Sequence, residues 1–122
     1  MSWNLHYHPN DRIIELTYSG KVSPQELNDA LDATRELAER EQTAKVLANC
    51  LDMTGGHSVL DLYSLISRYD WQVIRELQEA LVMPHRSFIA KIVRFYETAA
   101  VNRALKVRVF DNREAAWDWL LE

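Results

Sequence analysis

The last third of the chain constrains the fold most. An apolar run, Glu79-Ala80-Leu81-Val82-Met83-Pro84, leads into a helical pattern from His85 to Ala104. A β-branched run follows, Lys106-Val107-Arg108-Val109-Phe110, and then a terminal helix over residues 111–121. A short apolar run bounded by proline reads as a buried strand. A helix between two such runs is a crossover, and a crossover makes its strands parallel. The C-terminal half is therefore predicted to be a βαβα unit, with residues 78–83 and 106–110 as neighbouring parallel strands.

The N-terminal half completes the pattern. Trp3, Leu5 and Tyr7 alternate along a first strand to His8, Pro9-Asn10-Asp11 is a turn, and residues 13–18 form a second strand of an antiparallel hairpin that Gly20 ends. Ser23-Pro24-Gln25-Glu26 opens a helix: Ser23 caps, Pro24 fits the first position and Glu26 completes a capping box. Leu27, Ala30, Leu31, Thr34, Leu37 and Ala38 recur at helical spacing and form its buried face. Residues 44–51 make a third, central strand. A loop, residues 52–58, joins it to a second amphipathic helix from Val59 to Tyr69, whose end before Leu77 is poorly marked. The terminal helix is expected to be capped by Asp111, with Glu114 closing a second capping box. Ala116, Trp117, Leu120 and Leu121 are its predicted buried face. The whole reads as an α/β chain of order ββαβαβαβα.

A chain of 122 residues is one domain, large enough for a core. No run approaches the roughly 20 apolar residues that span a bilayer. The first residues lack the pattern of a secretory signal, and the one cysteine, Cys50, cannot form an internal disulfide. Both point to a cytoplasmic protein. The net charge of −4 argues against a nucleic-acid partner.

Three parts of the sequence now resemble one family: Phe95-Tyr96-Glu97-Thr98-Ala99-Ala100-Val101-Asn102-Arg103, then Val107-Arg108-Val109-Phe110, then Glu114-Ala115-Ala116-Trp117-Asp118-Trp119-Leu120. Together they resemble the bacterial STAS-like, or SpoIIAA-like, domain proteins. The resemblance implies a small α/β sandwich with a mixed, mainly parallel sheet and helices packed on it, a single STAS-like domain over residues 1–122. It also implies kinship with anti-sigma-factor antagonists and, more distantly, with lipid-carrying domains. The family's glycine after Asn-Arg is Ala104 here. Antagonists carry an Asp-Ser-Ser-Gly phosphorylation motif at the start of the second helix, where this chain has His57-Ser58-Val59-Leu60. Ser58 stands about where the switch serine would.

The residues that could carry function are few. Thr54, Gly55, Gly56, His57 and Ser58 follow the carboxyl end of a central strand and precede a helix. Ligands gather there in open α/β sheets, because helix N-termini present free N–H groups. They are the candidates for ligand binding or phosphorylation. The plainer reading is a βα turn with Ser58 as N-cap. His6 and His8 share a strand face, but two histidines do not make a metal site. His57 and Cys50 could form a nucleophile pair, although a thiol within a strand is usually a small core hydrophobe. Trp71 has no evident core role and could cover a pocket or a partner surface. No catalytic residue, metal or cofactor is expected. The expected function is a non-enzymatic regulatory or protein-interaction module. Its partner would be a protein, a second copy of the chain included. A carrier for a small apolar ligand, an anion-binding module and an enzyme using His57 are the alternatives.

Overall fold

The computed structural model describes residues 2–58, 61, 77–82, 98 and 106–122. Their elements are β1 (Trp3–His8), β2 (Ile13–Lys21), α1 (Pro24–Glu41), β3 (Lys45–Gly55), β4 (Gln78–Val82), β5 (Lys106–Phe110) and a C-terminal helix (Arg113–Leu121). Asp61 and Thr98 are helical. The rest of the expected helices over 59–69 and 85–104, together with Trp71, Met83 and Ala104, lies outside the described residues.

The five strands form one sheet in chain order, with β3 at its centre. β1 pairs antiparallel with β2, as the hairpin signal predicts, with Leu5 opposite Leu16. The other pairings are parallel: Val46 lies beside Ile14, Leu47 beside Ala80, and Ala80 beside Arg108. The expected neighbours 78–82 and 106–110 are thus adjacent and parallel. This is an α/β fold with a mixed, mainly parallel sheet.

Side-chain alternation sends the two faces of the sheet to different partners. Leu16, Tyr18, Ala48, Cys50 and Leu81 pack with Leu27 and Ala30 of α1. Ile13, Leu47, Ala80 and Val82 pack with Ala116 and Leu120 of the C-terminal helix. The sheet is therefore covered by α1 on one face and by the C-terminal helix on the other.

Local signals fix α1. The Ser23 hydroxyl accepts from the Glu26 N–H, and the Glu26 carboxylate accepts from the Ser23 N–H, closing the capping box. Thr34 is buried, and its hydroxyl is satisfied by donating to the Ala30 carbonyl at 2.7 Å. The helix ends at Gln42 in a left-handed conformation, φ 51°.

Four expectations need correction. β2 does not end before Gly20. It continues to Lys21, with Gly20 at φ 66° and two irregular steps in its pairing with β3. β3 does not end at Leu51, because the extended β2 supplies partners for Asp52, Met53 and Gly55 and carries it to Gly55. The C-terminal helix is capped by Asn112, not Asp111: the Asn112 side chain accepts from the Ala115 N–H at 2.8 Å. Glu114 is therefore not three residues from the cap. Finally, Leu121 is 45% exposed. Ala116 and Leu120, one turn apart, form the buried line, and Trp117 is half-buried beside them.

Candidate functional site

The end of β3 and the start of the next helix are tied to the β2–α1 junction. Val22, fully buried, is the hub. Its N–H donates to the Gly55 carbonyl at 2.7 Å. Its carbonyl accepts from His57 Nδ1 at 2.9 Å. A carbonyl only accepts, so Nδ1 carries the proton, and Nε2 is left for other partners. Gly56 passes so close that a Cβ there would lie 2.6 Å from the Val22 nitrogen. Gly55 and Gly56 adopt φ of 123° and 99°, conformations that side chains rarely take. The paired glycines therefore permit a close crossing of two backbones.

Ser58 caps the helical turn that contains Asp61. Its hydroxyl accepts from the Asp61 N–H at 3.2 Å, and its own N–H donates to the Asp61 carboxylate at 2.7 Å. This is the same reciprocal box as Ser23 with Glu26. The start of α1 after β2 and the Ser58–Asp61 box after β3 thus each have their own carboxylate. Glu26 also accepts from the Ser2 hydroxyl. The bonds from Ser2 and Ser23 hold its carboxyl below the usual range.

Of the five candidates, Thr54, Gly56 and Ser58 are exposed, His57 is half-buried and Gly55 is buried. Thr54 and Gly55 belong to β3 itself, and Gly56, His57 and Ser58 form the turn. Cys50 stands apart from them. Its thiol is buried, 3.9 Å from the Ala48 carbonyl. Burial, with the nearby charge of Glu79, pushes it up to about 12. At neutral pH it is a protonated core side chain. Among the described residues no group of histidine, cysteine, aspartate or glutamate could hold a metal ion.

A second polar cluster carries no sequence signal. His8 Nε2 lies 3.0 Å from Glu15 Oε1. Arg113 donates to both oxygens of the same carboxylate, each at 2.8 Å. The guanidinium also stands 4.6 Å over the Trp117 ring, whose Nε1 donates to Asp11 at 2.9 Å. His6 and His8 do share a face, with their rings 4.4 Å apart. What His8 meets there is a carboxylate from β2.

Residues 13–121 match the SpoIIAA-like family model. The chain belongs to the SpoIIAA-like family. A crystal structure of an uncharacterized protein of the DUF3478 family from Shewanella loihica PV-4, with a SpoIIAA-like fold, superposes with a TM-score of 0.61. The two chains are 15% identical, and the match covers 97% of this chain and 91% of that one. Identity that low speaks to fold alone. No curated protein matches the chain. The SpoIIAA-like match takes in α1, the turn after β3 and the C-terminal helix, and it begins at the first residue of β2. Among the described residues no helix is long and apolar enough to cross a membrane.

Proposed function

We propose that the chain is one STAS-like domain acting as a non-enzymatic interaction module, with a contact surface centred on Thr54, Gly56, His57 and Ser58. One observation carries the reading. The turn is pinned to Val22 by His57 and by the Gly55 carbonyl, so its exposed groups are presented in a fixed shape. A preorganised surface loses little entropy when a partner binds. Membership of the SpoIIAA-like family supports the choice of a protein as that partner. The carboxylates of Glu26 and Asp61 favour it over a free anion, because they already serve both helix starts. Phosphorylation of Ser58 would set its charge against Asp61 and would contest the same N–H donors, switching the surface rather than completing it.

The test compares proteins captured by the wild type and by Thr54→Arg from a lysate of the source organism. Partners retained by the first and lost by the second, with an unchanged melting temperature, support the reading. Amide shifts at Gly55, Gly56 and Ser58 with millimolar inorganic phosphate, and no partner lost, would favour the anion instead.

A further inference from the structure

Among the described residues the two outer strands of the sheet are β1 and β5, and the two differ in the residues they carry. β5 carries two exposed cations, Lys106 and Arg108, the latter 5.5 Å over the Phe110 ring. Charges of that kind keep a sheet edge from pairing with another. A copy of β5 centred across a two-fold axis would also set Arg108 against the partner's Arg108. β1, Trp-Asn-Leu-His-Tyr-His, has no lysine, arginine, carboxylate or proline. Its pairing with β2 runs from Trp3 to His8 without a bulge. Within β1 itself there is thus no charge, proline or bulge to protect the edge.

The direction of its backbone groups follows from one bond. The Ser19 N–H donates to the Ser2 carbonyl at 2.8 Å, in line with the register that sets Trp3 opposite Tyr18. Hydrogen-bonded pairs alternate along an antiparallel ladder. Asn4, His6 and His8 therefore bond to β2, and Trp3, Leu5 and Tyr7 turn their N–H and C=O groups outward. The side chains of these same three residues are half-buried against the α1 face.

We propose that β1 pairs antiparallel with β1 of a second copy, about a two-fold axis through Leu5. In that register Leu5 faces the partner's Leu5, and Trp3 faces the partner's Tyr7. Every outward N–H then finds an outward C=O. Shifting by two residues toward the C-terminus would set Trp3 against Pro9, which has no N–H to give, so the centred register is the one that uses all three residues. The cross-strand pairs are aromatic with aromatic and leucine with leucine, combinations that stabilise sheets. On the other face Asn4 stands opposite the partner's His6, and both are exposed. A contact confined to one strand edge and its side chains falls at the small end of interfaces, under about 1,200 Å², so the dimer should be in reversible equilibrium with monomer. This inference does not depend on the surface around Ser58.

Light scattering over a concentration series tests it. The wild type should pass from monomer to dimer. Asn4→Lys combined with His6→Lys sets like charges opposite each other across the axis and should raise the dissociation constant about tenfold or more. Both positions are exposed, so the melting temperature of the monomer should hold. The register has its own test. Asn4→Cys mixed with His6→Cys should form a disulfide-linked dimer on mild oxidation faster than either variant alone, because directly opposed residues lie within disulfide reach. The buried Cys50 should contribute no background. A dimer that survives the double lysine substitution lies on another surface and overturns the proposal. So does a monomer at millimolar concentration, which would leave the edge to a strand from a different protein.

Discussion

Arg113 forks onto Glu15 across 98 residues of sequence, with Nε and Nη2 each 2.8 Å from a carboxylate oxygen. The pair joins the first turn of the C-terminal helix to the first half of β2. His8 approaches the same carboxylate from β1 at 3.0 Å. The helix is thus held to the hairpin by polar bonds at its start and by Leu120 in the core at its end.

Stability should depend on that carboxylate at acid pH. The bond from Arg113, and then the bond from His8, hold Glu15 below its ordinary value of about 4.5 against the opposing effect of burial. A depressed carboxyl contributes stability above its unfolded value and loses it as the pH falls through the folded one. Urea midpoints should therefore drop below pH 4.5, and Arg113→Ala should flatten that drop. The pair is partly open to water, with the Arg113 side chain 43% exposed. The loss at neutral pH should be modest, about 1 kcal/mol.

Gly56→Ala and Gly20→Ala should differ sharply, although both glycines have positive φ. At Gly20 a Cβ would meet nothing within 4 Å, so the cost is that of the backbone conformation, about 1 kcal/mol. At Gly56 the Cβ would strike the Val22 backbone at 2.6 Å. That crossing must open, and the cost should exceed about 2 kcal/mol. Thermal melts of the two variants make the comparison directly.

Arg12 tests the other end of α1. It sits at φ 58°, its guanidinium donates to the Glu41 and Gln42 carbonyls, and its own carbonyl accepts from the Thr43 hydroxyl. Arg12→Ala loses the bonds to the helix end and keeps the strained conformation. Arg12→Gly loses the same bonds and relieves the strain. The glycine variant should therefore be the more stable by about 1 kcal/mol, read from denaturant midpoints.

The C-terminal helix offers a paired test of burial. Leu120 is fully buried, and Leu120→Ala should cost about 2–5 kcal/mol. Leu121→Ala, one residue on, should change stability by less than about 0.5 kcal/mol. Equal effects in urea titrations would place the helix face wrongly.

What could be read from the sequence was local. Ser23 and Glu26 announce a helix start because the capping box spans only four residues. The parallel strands around β4 follow from apolar runs and the length of the crossover. The extension of β3 to Gly55 was hidden, because its partners are Ser19, Gly20 and Lys21, reached across two irregular steps. Asp111 and Asn112 are both good caps, and only the backbone decides between them. At the candidate site the Gly55-Gly56 pair was visible, but Val22, the residue the glycines make room for, looked like any valine in a turn. Glu15 gave no sign of Arg113, since nothing in a strand's alternation marks a partner at the far end of the chain.

The thiol of Cys50 gives a test of the central strand. Burial, reinforced by Glu79, raises it to about 12 from an ordinary value of 9. A raised thiol keeps its proton in the folded state, while the unfolded chain releases it at lower pH. Its contribution to stability is thus present below pH 9 and lost as the pH rises toward 12. Two results should follow. Alkylation at pH 8 should proceed no faster than the protein opens, and denaturant below the unfolding midpoint should accelerate it in step with the unfolded population. Cys50→Ala should lessen the loss of stability between pH 9 and pH 10.5. Prompt labelling of the folded protein would mean that β3 is open to solvent at Cys50, and that the core between β3 and α1 is not closed as the packing of Ala48, Cys50, Leu81 and Leu27 requires.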